Sequence, residues 1–119
     1  MRAAFPAAIL ALAAAPAVAG PADVVGVEAR PTGDTWRFDV TVCHADTGWD
    51  HYADAWRVVG PDGTVYGTRT LLHPHADEQP FTRSLDGVAI PVGVTQVTVE
   101  AHDNVHGWGG AAVTVALPR

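Results

Sequence analysis

The sequence predicts a single all-β domain, an antiparallel β-sandwich of the immunoglobulin-like or fibronectin type with about seven strands. Three observations lead to this fold class. Beyond the first nineteen residues, no window repeats its apolar positions at helical spacing. Apolar and polar residues instead alternate with a period of two, in short runs rich in valine and threonine. Glycine and proline recur between these runs at intervals of about ten residues, which is typical of sandwiches.

The N-terminal segment, residues 1–19, has the pattern of a cleavable export signal. Arg2 precedes an apolar run rich in alanine and leucine, which ends in small residues at Ala17 and Ala19. We expect cleavage after Ala19, because this order of charge, apolar run and small residues is typical of secretory signals. The alternative is an uncleaved membrane anchor, but two prolines interrupt the run. The domain itself is then residues 20–119, periplasmic or secreted, with no membrane span after cleavage.

The strands follow in chain order from the alternation and the turns. The alternation is clearest over 36–42, and the proline and glycine of 60–63 predict a tight turn that makes the next segment the return strand of a hairpin. Parallel pairing requires long crossover connections, usually helices, and the pattern offers none. The predicted strands are 25–29, 36–43, 56–58, 64–72, 81–85, 94–102 and 111–117.

The composition limits the classes of partner. The chain has no lysine, and of its seven arginines six remain once the segment containing Arg2 is removed, against thirteen acidic residues. We expect neither nucleic acid nor an anionic membrane surface as a partner, because this balance repels both and attracts cations. Cys43 is the only cysteine, so no disulfide forms within the chain. Its thiol is either an inert, partly buried group or a metal ligand or nucleophile.

The histidines carry the functional prediction. If consecutive strands run up and down, the connections 44–53, 73–80 and 103–109 lie at one end of the sandwich. All six histidines lie in or beside these three connections, and the connections at the other end contain none. Loops on a rigid sandwich are the usual location of binding groups, and imidazole with carboxylate is a ligand set for zinc, copper or iron. The sequence therefore predicts a transition-metal site at this end.

Candidate ligands follow from the position of each side chain. His73 and His75 form the sharpest pair, because extended residues two apart project their rings to one face. His102 is the weakest candidate, since strand parity turns it along the sheet face. Carboxylates in the same loops would accept hydrogen bonds from the rings and orient them. The candidate metal ligands are His51, His73, His75, His106 and His44, and the candidate orienting or pocket residues are Asp46, Asp54, Glu78, Asp103, Trp49, Tyr52 and Trp108.

Three segments carry a resemblance to known proteins: HADTGWDHYADAW, PDGTVYGTRTLLHPHADEQPFTRSL and VHGWGG. They resemble an uncharacterised family of short exported bacterial proteins with no assigned activity, which implies the size, export and a sandwich. In its position at one pole, the predicted site is similar to that of the copper-binding cupredoxins, but the chain lacks their cysteine, histidine and methionine in the last loop. His106-Gly107-Trp108 is similar to the last loop of the iron-binding superoxide reductases, although here the cysteine lies in another segment.

Two functions of different classes remain open. The first is an exported domain that binds copper or zinc, with iron less favoured, for storage, delivery or sensing. The second is a metal-free interaction module whose histidines gain charge as the pH falls and which then binds an unidentified periplasmic protein or other ligand. An enzyme is less favoured, because Ser84 is the only serine and lies in a predicted strand rather than at a nucleophile elbow.

Overall fold

The computed structural model describes residues 20–118, which form seven β-strands and no helix. The predicted signal segment, residues 1–19, lies outside the described residues. Nothing in the described part of the chain is a helix of the length and apolarity needed to cross a bilayer. The strands are β1 (Asp23–Thr32), β2 (Thr35–Cys43), β3 (Ala53–Val59), β4 (Val65–Thr70), β5 (Phe81–Val88), β6 (Gln96–Asp103) and β7 (Gly107–Ala116).

The strands form two antiparallel sheets, which confirms the predicted β-sandwich. One sheet has the order β1-β2-β5 and the other the order β4-β3-β6-β7. Because β3 and β5 each lie in a different sheet from the strand before them, the chain crosses between the sheets at the connections 44–52 and 71–80. Hydrogen bonds join these two connections to each other and the first of them to the 104–106 turn. We call the three connections together the histidine pole.

The core lies between the inner faces of the two sheets, as alternation requires. In β2 every second side chain is buried, and the residues between them are less buried. The same pattern holds in β6, and in β3 from Trp56 onward, after a register irregularity between Ala53 and Ala55. The fully or nearly fully buried apolar residues of these three strands are Trp36, Phe38, Val40, Val42, Ala53, Trp56, Val58, Val97, Val99 and Ala101.

The last strand begins earlier than the sequence predicts. The glycine pair at 109 and 110 was expected to open a strand at 111, whereas β7 starts at Gly107. Gly110 lies inside the strand with a φ of 70°, and a Cβ there would lie 2.1 Å from the carbonyl oxygen of Ala22. The glycine therefore serves a close approach of the chain before β1, not a turn, and β7 continues through it. The predicted end of the fifth strand at residue 85 is also too early, because β5 continues to Val88.

Candidate metal site

Two polar side chains enter the interior by continuing the alternation of their strands. In β2 the buried side chains lie at 36, 38, 40 and 42, and His44 is next in that series. In β6 they lie at 97, 99 and 101, and Asp103 is next. Every second residue of a strand projects from the same face, so both side chains point between the sheets. They meet at the histidine pole, where their side chains are 1% and 0% exposed.

His51 completes the group from the loop between β2 and β3. A β-bridge between Gly48 and His51 folds this loop back on itself and sets the His51 ring edge-on to the His44 ring. The His51 Nε2 lies 3.2 Å from the His44 Nε2 and 3.1 Å from the Asp103 Oδ2. The His44 Nε2 lies 3.0 Å from the same oxygen. Within residues 20–118, these three side chains form the group with the proximity expected of metal ligands.

Asp46 orients the His44 ring. Its Oδ1 accepts a hydrogen bond from His44 Nδ1 at 2.5 Å and another from the backbone N–H of Ala53 at 3.0 Å. Its Oδ2 accepts the backbone N–H of His75 at 2.7 Å. One buried carboxylate thus joins two loops of the histidine pole to the start of β3. Because Nδ1 donates to Asp46, a neutral His44 presents a lone pair at Nε2, which is the form that binds metals.

This arrangement places two electron-rich atoms against each other. With Nδ1 as the donor, the lone pair of the His44 Nε2 faces the Asp103 carboxylate at 3.0 Å, in a place that water does not reach. Two acceptors in a buried contact repel each other unless a positive charge or a hydrogen-bond donor lies between them. A metal cation supplies the charge. The other way is a proton on His51 Nε2, which lies 3.2 Å from His44 Nε2 and 3.1 Å from Asp103 Oδ2 and can donate to both.

Asp103 is held as a carboxylate. Its burial acts to raise its pKa, but the backbone N–H groups of Val105 and His106 donate to Oδ1. The rings of His106 and His51 lie 3.0 and 3.1 Å from Oδ2. The hydrogen bonds outweigh the burial, so the pKa of Asp103 lies well below its usual range. Asp103 therefore supplies the one carboxylate of the three-residue group, and the buried Asp46 carboxylate lies on the far side of the His44 ring.

The three distances match the edges of a coordination polyhedron. Zinc binds imidazole nitrogen and carboxylate oxygen at about 2.0–2.2 Å. If an ion lay about 2.1 Å from all three atoms, the angle between any two of them at the ion would be about 90–100°, because the atoms lie 3.0–3.2 Å apart. Angles of this size separate neighbouring ligands on one face of a five- or six-coordinate ion. The arrangement can thus hold a divalent ion from one side.

His73 and His75 do not join this group. The centroids of their rings lie 4.6 Å apart, and the buried His75 ring stacks on the ring of Phe81. The Arg83 Nη2 donates to the His75 Nε2 at 2.9 Å and to Glu78 Oε1 at 3.2 Å. Burial first, and then the Arg83 guanidinium and His73, lower the pKa of His75. A guanidinium in contact with this ring nitrogen opposes the binding of a cation there.

Asp54 and Trp108 belong to a third cluster, on the outer face of the four-stranded sheet. Asp54 Oδ1 accepts a hydrogen bond from His102 Nδ1 at 2.5 Å. The Trp108 ring meets the His102 ring edge-on, and the Arg57 guanidinium lies 3.8 Å from the Trp108 ring centroid. His102 follows the inward-facing Ala101 in β6, so parity turns it outward. These residues lie outside the three-residue group.

Trp49 and Tyr52 lie in the same loop as His51. Their rings meet edge-on, with centroids 5.5 Å apart. Trp49 is 64% exposed. Asn104 holds this loop, because its side chain accepts the Tyr52 N–H and donates to the Trp49 carbonyl, both at 2.9 Å. Cys43 is exposed at the end of β2, where parity points it away from the buried His44.

Two residues that organise the pole, Asn104 and Arg83, are not among the ligand or orienting candidates predicted from the sequence. Asn104 is a turn residue between His102 and His106, so its position next to the histidines was a usable signal. Arg83 gave no local signal, because its partner His75 comes from another loop and the contact depends on how β5 leaves the pole. His44 and Asp103 had a clear signal, because each is the next inward-facing position after the buried apolar residues of β2 and β6.

Comparisons with known proteins place the chain near one relative. No family model matches the chain, and no solved structure matches it significantly. It is 44% identical over 95 residues to a protein of Halomicrobium mukohataei named "Putative lipoprotein"; the match covers 79% of this chain and 46% of that protein. The chain thus spans about half the length of the curated relative it matches. This chain is therefore a homologue of that protein.

Proposed function

We propose that this domain binds one transition-metal ion, copper or zinc, at the histidine pole. The ligand atoms are His44 Nε2, His51 Nε2 and Asp103 Oδ2. The observation that carries the proposal is the contact between the His44 Nε2 and the Asp103 carboxylate. These two buried atoms lie 3.0 Å apart, although the His44 proton is committed to Asp46 on the other side of the ring.

The ligand set favours copper or zinc. Two imidazoles and one carboxylate suit zinc, copper and iron, whereas calcium requires six to eight oxygen ligands. Asp46 supports the same proposal, because metal-binding histidines commonly donate their second nitrogen to a carboxylate or carbonyl, which fixes the ring and raises its basicity. Copper binds more tightly than zinc or iron at most nitrogen and oxygen sites, so copper uptake is the most sensitive first assay.

The proposed ligands are a subset of the candidates from the sequence, with Asp103 added as a direct ligand. His106 acts through Asp103, since its ring nitrogen and its backbone N–H both contact that carboxylate. His73 and His75 have no part in the proposed coordination, because Arg83 occupies the His75 nitrogen. Asp54 and Trp108 contact His102, Glu78 contacts Arg83, and Trp49 and Tyr52 contact each other, so none of these five belongs to the three-residue group.

The biological role that fits is storage, delivery or sensing of the ion outside the cytoplasm. Two observations support export: the signal pattern of residues 1–19, and the name of the homologue as a lipoprotein. We propose that residues 20–119 are the mature domain, in the periplasm or secreted. An unidentified periplasmic protein would then supply or accept the ion.

Calorimetric titration of metal-free protein with copper(II) and with zinc, followed by metal analysis after desalting, tests the proposal. We expect one ion per chain in the wild type and in His73→Ala, which removes an exposed histidine from the same pole. His51→Ala removes a ligand and Asp103→Asn removes the negative charge of one, so each should lower the affinity more than the 10–100-fold typical of orienting residues.

Two results would contradict the proposal. Loss of the ion in His73→Ala, with retention in His51→Ala, would move the site to the second histidine pair. Absence of stoichiometric metal in a folded wild type would leave the His51 Nε2–H as the donor between His44 Nε2 and Asp103 Oδ2. The metal-free interaction module would then be the better account of the histidine pole.

A further inference from the structure

We infer that the ion proposed above has an open face, and that this face binds one small anionic ligand through an oxygen or nitrogen donor. The inference rests on the proposed function and goes beyond it, because it makes the site an exchangeable centre rather than a closed structural one. It names the ligand class as small anions, such as carboxylates, hydroxide or azide.

The proposed site supplies three protein ligands, all on one side of the ion. Within residues 20–118 the group of mutually close ligand atoms has three members, one each from His44, His51 and Asp103. Angles of about 90–100° place all three on one side of the ion. Zinc and copper(II) take at least four ligands, so at least one position on the opposite side must be filled from outside the group.

The side of the ion opposite the three protein ligands faces solvent. The side chains of His44 and Asp103 are 1% and 0% exposed, and that of His51 is 15% exposed. The neighbouring His106 side chain is 37% exposed. Exposure thus rises from the interior toward His51 and His106, which places the open positions on the solvent side of the pole.

His106 is the nearest further donor to the three proposed ligands. Its Nδ1 lies 3.0 Å from the Asp103 Oδ2, and its backbone N–H donates to the other oxygen of the same carboxylate. His51 Nε2 lies at nearly the same distance from Asp103 Oδ2, 3.1 Å, but it also lies 3.2 Å from His44 Nε2. Among the described residues, His106 is not in the group whose ligand atoms are all close to one another. His106 is therefore a positioning residue that donates its Nδ1–H to Asp103, and the fourth coordination position stays free.

The net charge of the ion and its directly bound groups favours an anionic ligand. The histidine ligands are neutral, so a divalent ion with the single carboxylate of Asp103 keeps a net charge of about +1 among its directly bound groups, and the Asp46 carboxylate lies beyond them, on the far side of the His44 ring. A monoanion neutralises this charge, whereas a second cation or a basic group does not. Small anions are thus the ligand class that fits the open position.

Titration of the copper(II)-loaded protein with sodium azide tests this inference. Azide bound to copper(II) gives a ligand-to-metal charge-transfer band in the near ultraviolet. We expect this band to grow saturably to one azide per copper in the wild type and in His73→Ala. We expect His106→Ala to keep both copper and the azide band, with a copper affinity lowered by at most about 10–100-fold, the range for orienting residues. Acetate should compete with azide.

The outcomes separate the two claims. Copper uptake without a saturable azide band, together with loss of copper in His106→Ala, would show a closed four-ligand site and overturn the inference while the proposed function stands. Failure to take up copper at all is seen before azide is added, and would overturn both. A saturable band that persists in His51→Ala would place the copper elsewhere and contradict both as well.

Discussion

Replacement of Asp46 by asparagine tests how the site is built without removing a proposed ligand. The Asp46 side chain is buried and accepts three hydrogen bonds, from His44 Nδ1, the Ala53 N–H and the His75 N–H. Asparagine has nearly the same shape but only one acceptor oxygen. Whichever way the amide turns, its NH₂ group faces at least one N–H donor that loses its partner.

The magnitude follows from the least costly orientation. If the amide oxygen takes the place of Oδ1, the bonds to His44 and Ala53 remain and the N–H of His75 is left unsatisfied. Loss of a hydrogen bond to a charged group costs about 1.5–3 kcal/mol, and an unsatisfied buried donor is part of that cost. We therefore expect Asp46→Asn to lower the free energy of unfolding by about 2–3 kcal/mol. For a domain of this size that lowers the melting temperature by about 10–20 °C.

Metal affinity should fall in the same variant by about 10–100-fold, because His44 loses the carboxylate that fixes its ring. Thermal unfolding of the metal-free protein and calorimetric copper titration measure the two effects. Asp50→Asn is the matched control, since Asp50 is an exposed carboxylate of the same loop. Equal melting temperatures for the two variants would refute the role given to Asp46. A normal melting temperature in Asp46→Asn with abolished metal binding would make Asp46 a ligand instead of an orienting residue.

Three further predictions concern ligand linkage, pH and backbone geometry. Zinc at about 100 times its dissociation constant should stabilise the wild type by about 2.7 kcal/mol in thermal unfolding, and an equal shift in His51→Ala would contradict the proposed ligand set. Burial lowers the pKa of His75 in the folded protein, so below about pH 6.5 the unfolded chain takes up a proton at this residue more readily than the folded protein does. The stability of the metal-free protein should therefore fall as the pH drops from about 6.5 toward the folded-state pKa of His75. Urea unfolding at several pH values should show a smaller fall in His75→Gln, and an unchanged fall would exclude His75 as its source. Gly110→Ala should cost more than about 2 kcal/mol in the same assay, because its φ is positive and a backbone carbonyl occupies the Cβ position; Gly93→Ala meets nothing within 4 Å, and equal losses would be evidence against that reason.

The fold could be predicted because its main signals are local. The alternation of β2 identifies a strand and its buried face without any reference to the rest of the chain. The start of β7 could not be predicted in the same way. Gly109 and Gly110 have the composition of a turn, and only the approach of the chain before β1 explains why a strand needs glycine there.

The gathering of the histidine-bearing connections at one end could also be predicted, but the membership of the candidate site only in part. Reversal of the chain at each turn brings the histidine-bearing connections to one end, and this depends on topology alone. The partners of each histidine depend on packing between distant segments. The pairing of His75 with Arg83 and of His102 with Asp54 has no local signal, because each contact joins residues of different elements. Asp103 was predicted to orient a ring, whereas its inward position in β6 makes it a proposed ligand.

The most direct test of the proposed metal site is a crystal structure of the zinc-loaded protein with anomalous diffraction data collected at the zinc edge. We expect one strong anomalous peak per chain, about 2.0–2.2 Å from His44 Nε2, His51 Nε2 and Asp103 Oδ2. A peak between His73 and His75, or a zinc-soaked crystal with no peak at the histidine pole, would contradict it.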